Sequence, residues 1–226
     1  VNFVSRYQLC RWLFVFLVSI SISMEAMSSN AELAEIGKQL TRVKLSKVAP
    51  VLDKMEQQGG AEVLPLFEAM LAGSLYFVRT DKTLVIVVER NPDDDSVVVS
   101  NAFIGKEHLS FTKAELKKVR VNNKLRGILR SKIAELTLSS SDPVIRELAV
   151  QNMLQNLDEE NIGLLSRARL VETSSAILEK IDLALSLGLL GSSDDEQRLV
   201  AIDSLRGVVE PVVRNRLQSL IEKDSQ

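Results

Sequence analysis

The sequence predicts a mainly α fold, HEAT-like stacked helix pairs with a small three-stranded antiparallel β insert. Three observations predict it. Apolar residues recur at three- and four-residue spacing through most of the chain after residue 111, the period of a helix with one buried face. Two windows, Arg146–Met153 and Arg198–Leu205, both read Arg-x-x-Ala, then a β-branched residue, then x-x-apolar. Each helix pair in such a series leaves an apolar face that only its neighbour covers, so the pairs stack. Between residues 74 and 104 the apolar residues are instead β-branched or aromatic and come in short runs, the mark of strands.

Composition fits that class. The chain has 226 residues, 46% of them hydrophobic but only 4% aromatic. Leu, Val, Ile and Ala therefore supply the core, which favours helices packed on helices. The net charge of −2 rules out a polyanion binder driven by overall charge. Cys10 is the only cysteine and His108 the only histidine. A Ser-His-Asp triad or multi-histidine zinc site is not expected, and no catalytic, cofactor-binding or metal-binding residue is assigned.

The first residues read as an export signal. Arg6 and Arg11 precede the apolar run from Trp12 to Ile22, and small residues suited to cleavage stand at Ser21, Ser23 and Ala26. That run falls short of the roughly 20 apolar residues of a membrane-spanning helix. The expected organisation is a signal peptide over residues 1–26, N-terminal helices over 31–73, the β insert over 74–104 and the HEAT-like helical domain over 111–222. The domain is expected outside the cytoplasm, in the periplasm or on the outer face of the inner membrane. Cys10 would leave with the leader, so disulfides and thiolate chemistry are not expected in the mature chain.

Residues 31–40 and 45–57 read as helices, the second carrying Leu45, Val48, Leu52 and Met55 on one face. Gly59-Gly60 reads as a turn. A short helix over 62–71 has Pro65 in its first turn, where a missing N–H is tolerated, and Gly73 stops it. Leu75–Val78, Leu84–Val88 and Val97–Val99 are the three expected strands, with Thr80-Asp81-Lys82 and Asn91–Asp95 as turns. The triple aspartate Asp93–Asp95 lacks the spacing of a calcium loop. His108 sits on a polar loop without a second ligand type nearby. Thr112-x-x-Glu115, flanked by Phe111 and Leu116, has the form of a capping box with its staple and predicts a helix start. The long helix expected after it buries Leu125, Ile128, Leu129, Ile133 and Leu136. Asp142-Pro143, Asn161, Ser174 and the second capping box Ser193-x-x-Glu196 open further helices.

The most basic window lies mid-chain: Lys113, Lys117, Lys118, Arg120, Lys124, Arg126, Arg130 and Lys132 face only Glu115 and Glu135. Arg120, Asn122, Asn123, Lys124, Arg126 and Arg130 are the expected partner-contact residues, on an exposed stripe suited to an acidic protein surface or to acidic lipid head groups. The window has no interleaved aromatics, so nucleic acid is not an expected partner.

Three stretches resemble a known family. Leu64–Tyr76 looks like its "LP-x-L-x-A-L-L-x-G-x-L-Y". Lys118–Arg126 looks like its "KVRVNN-x-LR", and Ser140–Arg146 looks like its "S-x-DP-x-VR". The family is the permease subunit of the urea-type branch of the branched-chain amino-acid ABC importers. The resemblance covers roughly residues 45–220. It implies a non-catalytic, exported helical-repeat domain of a permease for urea, short amides or branched-chain amino acids. Its partners would be the other importer subunits, meaning the membrane permease part and the solute-binding protein, with the membrane surface nearby. Family members continue into a bundle of membrane helices, whereas this sequence ends at Gln226. The expectation is a fragment, a split gene product or a domain acting alone. The alternative is a stand-alone periplasmic helical-repeat scaffold that binds a protein partner.

Overall fold

The computed structural model describes residues 30–91, 95–105 and 107–224. The expected signal peptide over residues 1–26 and the turn residues Pro92–Asp94 lie outside them. The chain divides into two compact units, one ending at Leu129 and one beginning at Arg130.

The first unit opens with three helices: α1 over residues 30–39, α2 (Val48–Gly59) and α3 (Leu64–Ala72). Leu33, Leu52, Met55, Val63, Leu66, Phe67 and Met70 are buried in it, in keeping with the apolar spacing of the sequence. Pro65 stands in the first turn of α3, and Gly73 ends that helix in the left-handed conformation at φ 75°. Helix α1 approaches the sheet closely at Gly37, where a Cβ would lie 2.7 Å from the Phe103 ring and 2.9 Å from Leu84.

After α3 the chain forms a five-stranded antiparallel sheet, not a three-stranded one. Its strands are β1 (Leu75–Val78), β2 (Leu84–Arg90), β3 (Ser96–Asn101), β4 (His108–Thr112) and β5 (Leu116–Lys118), in the spatial order β4-β3-β2-β1-β5. The sheet therefore runs to residue 118, past the expected boundary at 104, and the helical segment begins later than 111. Strand β5 pairs with β1, setting Tyr76 opposite Lys118 and Val78 opposite Leu116. Strand β2 carries a register shift between Val87 and Glu89 against β3. Val78, Val85, Val97, Val99 and Leu116 form one apolar cluster, with Tyr76, Val87 and Phe111 packed at its margin.

The expected helix start at Thr112 is thus a strand–turn–strand. The box chemistry itself is present: the Glu115 carboxylate accepts hydrogen bonds from the Thr112 N–H at 2.8 Å and from its hydroxyl at 2.7 Å. Those two bonds close a tight turn and hold the Glu115 carboxyl below its ordinary pKa, the Thr112 backbone N–H contributing most. Past the turn, Leu116 puts its side chain into the sheet cluster, and the backbone of Leu116–Lys118 pairs with β1. Pairing with β1 wins over the local helix signal.

Beyond the sheet the described chain is helical. Helices α4 (Asn123–Leu138), α5 (Pro143–Met153) and α6 (Glu159–Arg169) are succeeded by α7 (Ser175–Leu189), α8 (Asp195–Ser204) and α9 (Pro211–Asp224). The start of each of the last three falls 52 residues after its counterpart: Asn123 to Ser175, Pro143 to Asp195, Glu159 to Pro211. The correspondence reaches side chains. Asp142 caps α5 by accepting from the Val144 N–H, and Asp194 caps α8 by accepting from the Glu196 N–H. The expected Ser193 box is therefore replaced by an Asp194 cap, because an aspartate one residue on reaches the same donors. Arg146 Nη1 donates to the Ser140 carbonyl at 2.8 Å, and Arg198 Nη1 to the Ser192 carbonyl at 2.7 Å.

In the second unit, Leu138, Ala149, Val150, Met153, Leu164, Leu165, Ile177, Ile181 and Ala184 share one core cluster. Leu187, Leu190, Ala201, Leu205 and Val213 form a second. Among the described residues no helix is long and apolar enough to cross a membrane.

Candidate functional site: a basic cleft beside strand β5

The chain leaves β5 at Lys118 and enters α4 at Asn123. The four residues between them are held at both ends. The Val119 N–H donates to the Leu75 carbonyl at 3.0 Å, and the Asn122 side chain accepts from the Leu125 N–H at 2.9 Å. Val119 is buried, which turns Lys118 and Arg120 outward on either side of it.

A cleft of about 660 Å³ opens along this segment. Five cations line it: Arg79, Lys117, Lys118, Arg120 and Arg126. Leu45, Met70, Ala72, Gly73, Val119 and Val121 supply the rest of its wall, and no aspartate or glutamate does. A smaller cavity of about 360 Å³ shares Lys117, Lys118, Val119 and Arg120 and extends to Leu40, Val43, Val48 and Phe77.

Three of these cations lie against neutral groups. Arg126 Nη1 donates to the Leu71 carbonyl at 3.2 Å, where α3 ends. Lys117 Nζ stands 6.0 Å from the centre of the Phe77 ring. Lys118 Nζ lies over Gly73, so close that a Cβ there would come within 2.7 Å of it. None of the five forms an ion pair among the described residues. Five uncompensated positive charges around an apolar floor make a local field that attracts carboxylates or phosphates. Such a surface is suited to binding and positioning an anionic group. Among the described residues no three His, Cys, Asp or Glu side chains gather as metal ligands.

Comparison with known proteins yields no relative: no family model, curated protein or solved structure matches the chain.

Of the expected contact residues, Arg120 and Arg126 line the cleft. Asn122 is spoken for as the cap of α4. Asn123 and Lys124 are exposed on the first turn of that helix without lining the cleft, and Arg130 is exposed in the second unit. Arg79, Lys117 and Lys118 complete the site although they were not among the expected contacts. The two lysines lay inside the basic window. Arg79 had no sequence signal, because only the pairing of β1 with β5 brings it there; its N–H donates to the Glu115 carbonyl at 2.9 Å.

Proposed function

We propose that this chain is the extracytoplasmic domain of an ABC importer permease for urea, short amides or branched-chain amino acids. In this reading it is not an enzyme. It acts by docking an acidic surface of another importer subunit, the membrane permease part or the solute-binding protein, into the basic cleft. One observation carries the reading. Two stretches that resemble the permease family, Leu64–Tyr76 and Lys118–Arg126, are 42 residues apart from Tyr76 to Lys118 yet line the same cleft. Met70, Ala72 and Gly73 come from the first; Lys118, Val119, Arg120, Val121 and Arg126 come from the second.

The third stretch, Ser140–Arg146, supplies a helix cap and a buried ion pair, a supporting role. The recurrence of three helix starts and two aspartate caps supports HEAT-like stacking of α4–α9, in units of three helices instead of pairs. Export by the leader would place the domain in the periplasm or on the outer face of the inner membrane.

The test is co-purification with the importer subunits from cells that express the transporter, together with uptake of labelled urea. The double substitution Lys118→Glu, Arg120→Glu should abolish capture and impair uptake while the circular dichroism spectrum stays unchanged. Undiminished capture and uptake would remove the cleft from the docking surface and the reading with it. A stand-alone scaffold is the second reading, favoured by the exposed Leu199, Val200 and Ile202 of α8. It requires capture of one defined protein and none of the importer subunits.

A further inference from the structure

The backbone of β5 is paired on one side only. The Arg79 N–H donates to the Glu115 carbonyl and the Val119 N–H to the Leu75 carbonyl. Glu115, Lys117 and Val119 therefore turn their backbone groups toward β1, and in an antiparallel ladder the residues between them turn theirs the other way. Those residues are Leu116 and Lys118. Strand β5 is the last in the sheet order, and among the described residues no strand stands on that outward side. The basic cleft runs along the same edge, lined without a break from Lys117 to Val121.

Successive side chains along an extended segment point to opposite faces. Lys117 stands by the Phe77 ring and Lys118 over Gly73, so an ammonium flanks the edge on each face. Val119 and Val121 alternate with Lys118 and Arg120 along the cleft. Lysines on an edge discourage a neutral or basic strand from adding. They favour an acidic one, because opposite charges on paired residues attract.

We propose that the acidic surface received by the cleft is an extended segment that adds antiparallel to β5 as a further strand, with acidic and apolar residues in alternation. The proposal rests on the reading of the cleft as the docking site for another importer subunit. Carboxylates of the segment pair with Lys118 and Arg120. Its apolar residues lie against Val119 and Val121. The N–H and carbonyl groups of its acidic residues bond to the outward backbone of β5. Two occupants nearer at hand lack this chemistry. The other edge of the sheet in a second copy is β4, His108–Thr112, which has no carboxylate. Residues 1–29 set Arg6 and Arg11 against the single acid Glu25.

The probe is a fluorescein-labelled peptide, Thr-Glu-Val-Glu-Val-Glu-Val-Thr, titrated into the full chain at low salt. Saturable binding is expected, weakened about tenfold or more by the double substitution Lys118→Glu, Arg120→Glu. Two further peptides separate a strand from a mere cluster of charge, and they need only the parent chain. N-methylation of the three glutamate N–H groups should abolish binding, because those groups face β5. N-methylation of the three valine N–H groups should leave it within severalfold of the parent peptide. No saturable binding, equal effects of the two methylations, or the reverse pattern overturns the proposal. If importer subunits are nonetheless captured through the cleft, the docking reading survives without the strand. If the expected pattern appears and no importer subunit is captured, strand addition stands and the importer reading falls.

Discussion

Arg146 and Glu172 meet in a two-point clamp, Nε to Oε2 at 2.8 Å and Nη2 to Oε1 at 2.9 Å. The glutamate side chain is only 4% exposed. Its Oε1 also accepts the Thr173 and Ser174 N–H groups, each at 2.9 Å, while Arg146 Nη1 holds the Ser140 carbonyl. One ion pair thus ties the loop before α5 to the loop before α7. The geometry is planar and bidentate, the arrangement in which arginine outperforms lysine.

That clamp makes stability depend on acid. The Arg146 guanidinium, with lesser help from the Ser174 and Thr173 N–H groups, holds the Glu172 carboxyl down to about 2. In the unfolded chain it titrates near the ordinary value of about 4.3. A folded-state pKa below the unfolded one gives stability that is complete above the unfolded value and lost as pH falls toward 2. Thermal unfolding of the parent and of Glu172→Gln should differ by several degrees at pH 7, with the parent more stable. The gap should shrink below about pH 4. Parallel curves at all pH values would exclude this assignment.

Leu129 and Arg126 sit on one helix and should respond oppositely to charge. Leu129 is fully buried, so Leu129→Asp forces an unpaired carboxylate into a core. A loss of about 4 kcal/mol or more is expected, seen as an unfolded circular dichroism spectrum. Arg126 is exposed, and Arg126→Glu gives up one hydrogen bond to the Leu71 carbonyl. That variant should melt within a few degrees of the parent yet lose affinity for an acidic partner.

Asn122 tests the difference between a cap and a contact. Its side chain serves the Leu125 N–H, so Asn122→Ala should cost about 1 kcal/mol in urea unfolding. Asn122→Asp should restore most of that loss. Partner capture should be unaffected by Asn122→Asp; a strong loss there would make the residue part of the docking surface after all.

Gly73 couples backbone to cleft. Its φ of 75° suits glycine, and Gly73→Ala should cost about 1 kcal/mol on that ground alone. The new methyl also meets Lys118 Nζ, which must swing aside. Binding to an acidic partner should therefore weaken more than the modest stability change accounts for.

The helices were legible because their signals are local. Asp142-Pro143 and Ser174 mark starts without help from elsewhere, and Leu125, Leu129, Ile177 and Ile181 repeat at the helical period. The two outer strands were not. His108–Thr112 carries two apolar residues among three polar ones, and Leu116–Lys118 has one apolar residue in three. Their strand character comes from pairing and not from their own residues, with the preceding strand β3 for the first and the sequence-distant β1 for the second. The site was half legible for the same reason. Arg120 and Arg126 stand in one charged window, whereas Arg79 joins them only through strand pairing. The Arg146–Glu172 clamp was likewise hidden, since 26 residues separate its members.

Strand β5 ends the sheet on its side, is three residues long, and carries Lys117 and Lys118. An outermost strand offers backbone groups to which another molecule's strand can add, and lysines on a short edge discourage that addition. Two of the five charges that make the cleft basic thereby also discourage strand addition at this edge. Any evolutionary drift toward a neutral cleft would carry a hidden risk of aggregation, and Lys117→Val, Lys118→Thr should expose it as turbidity at concentrations where the parent stays clear.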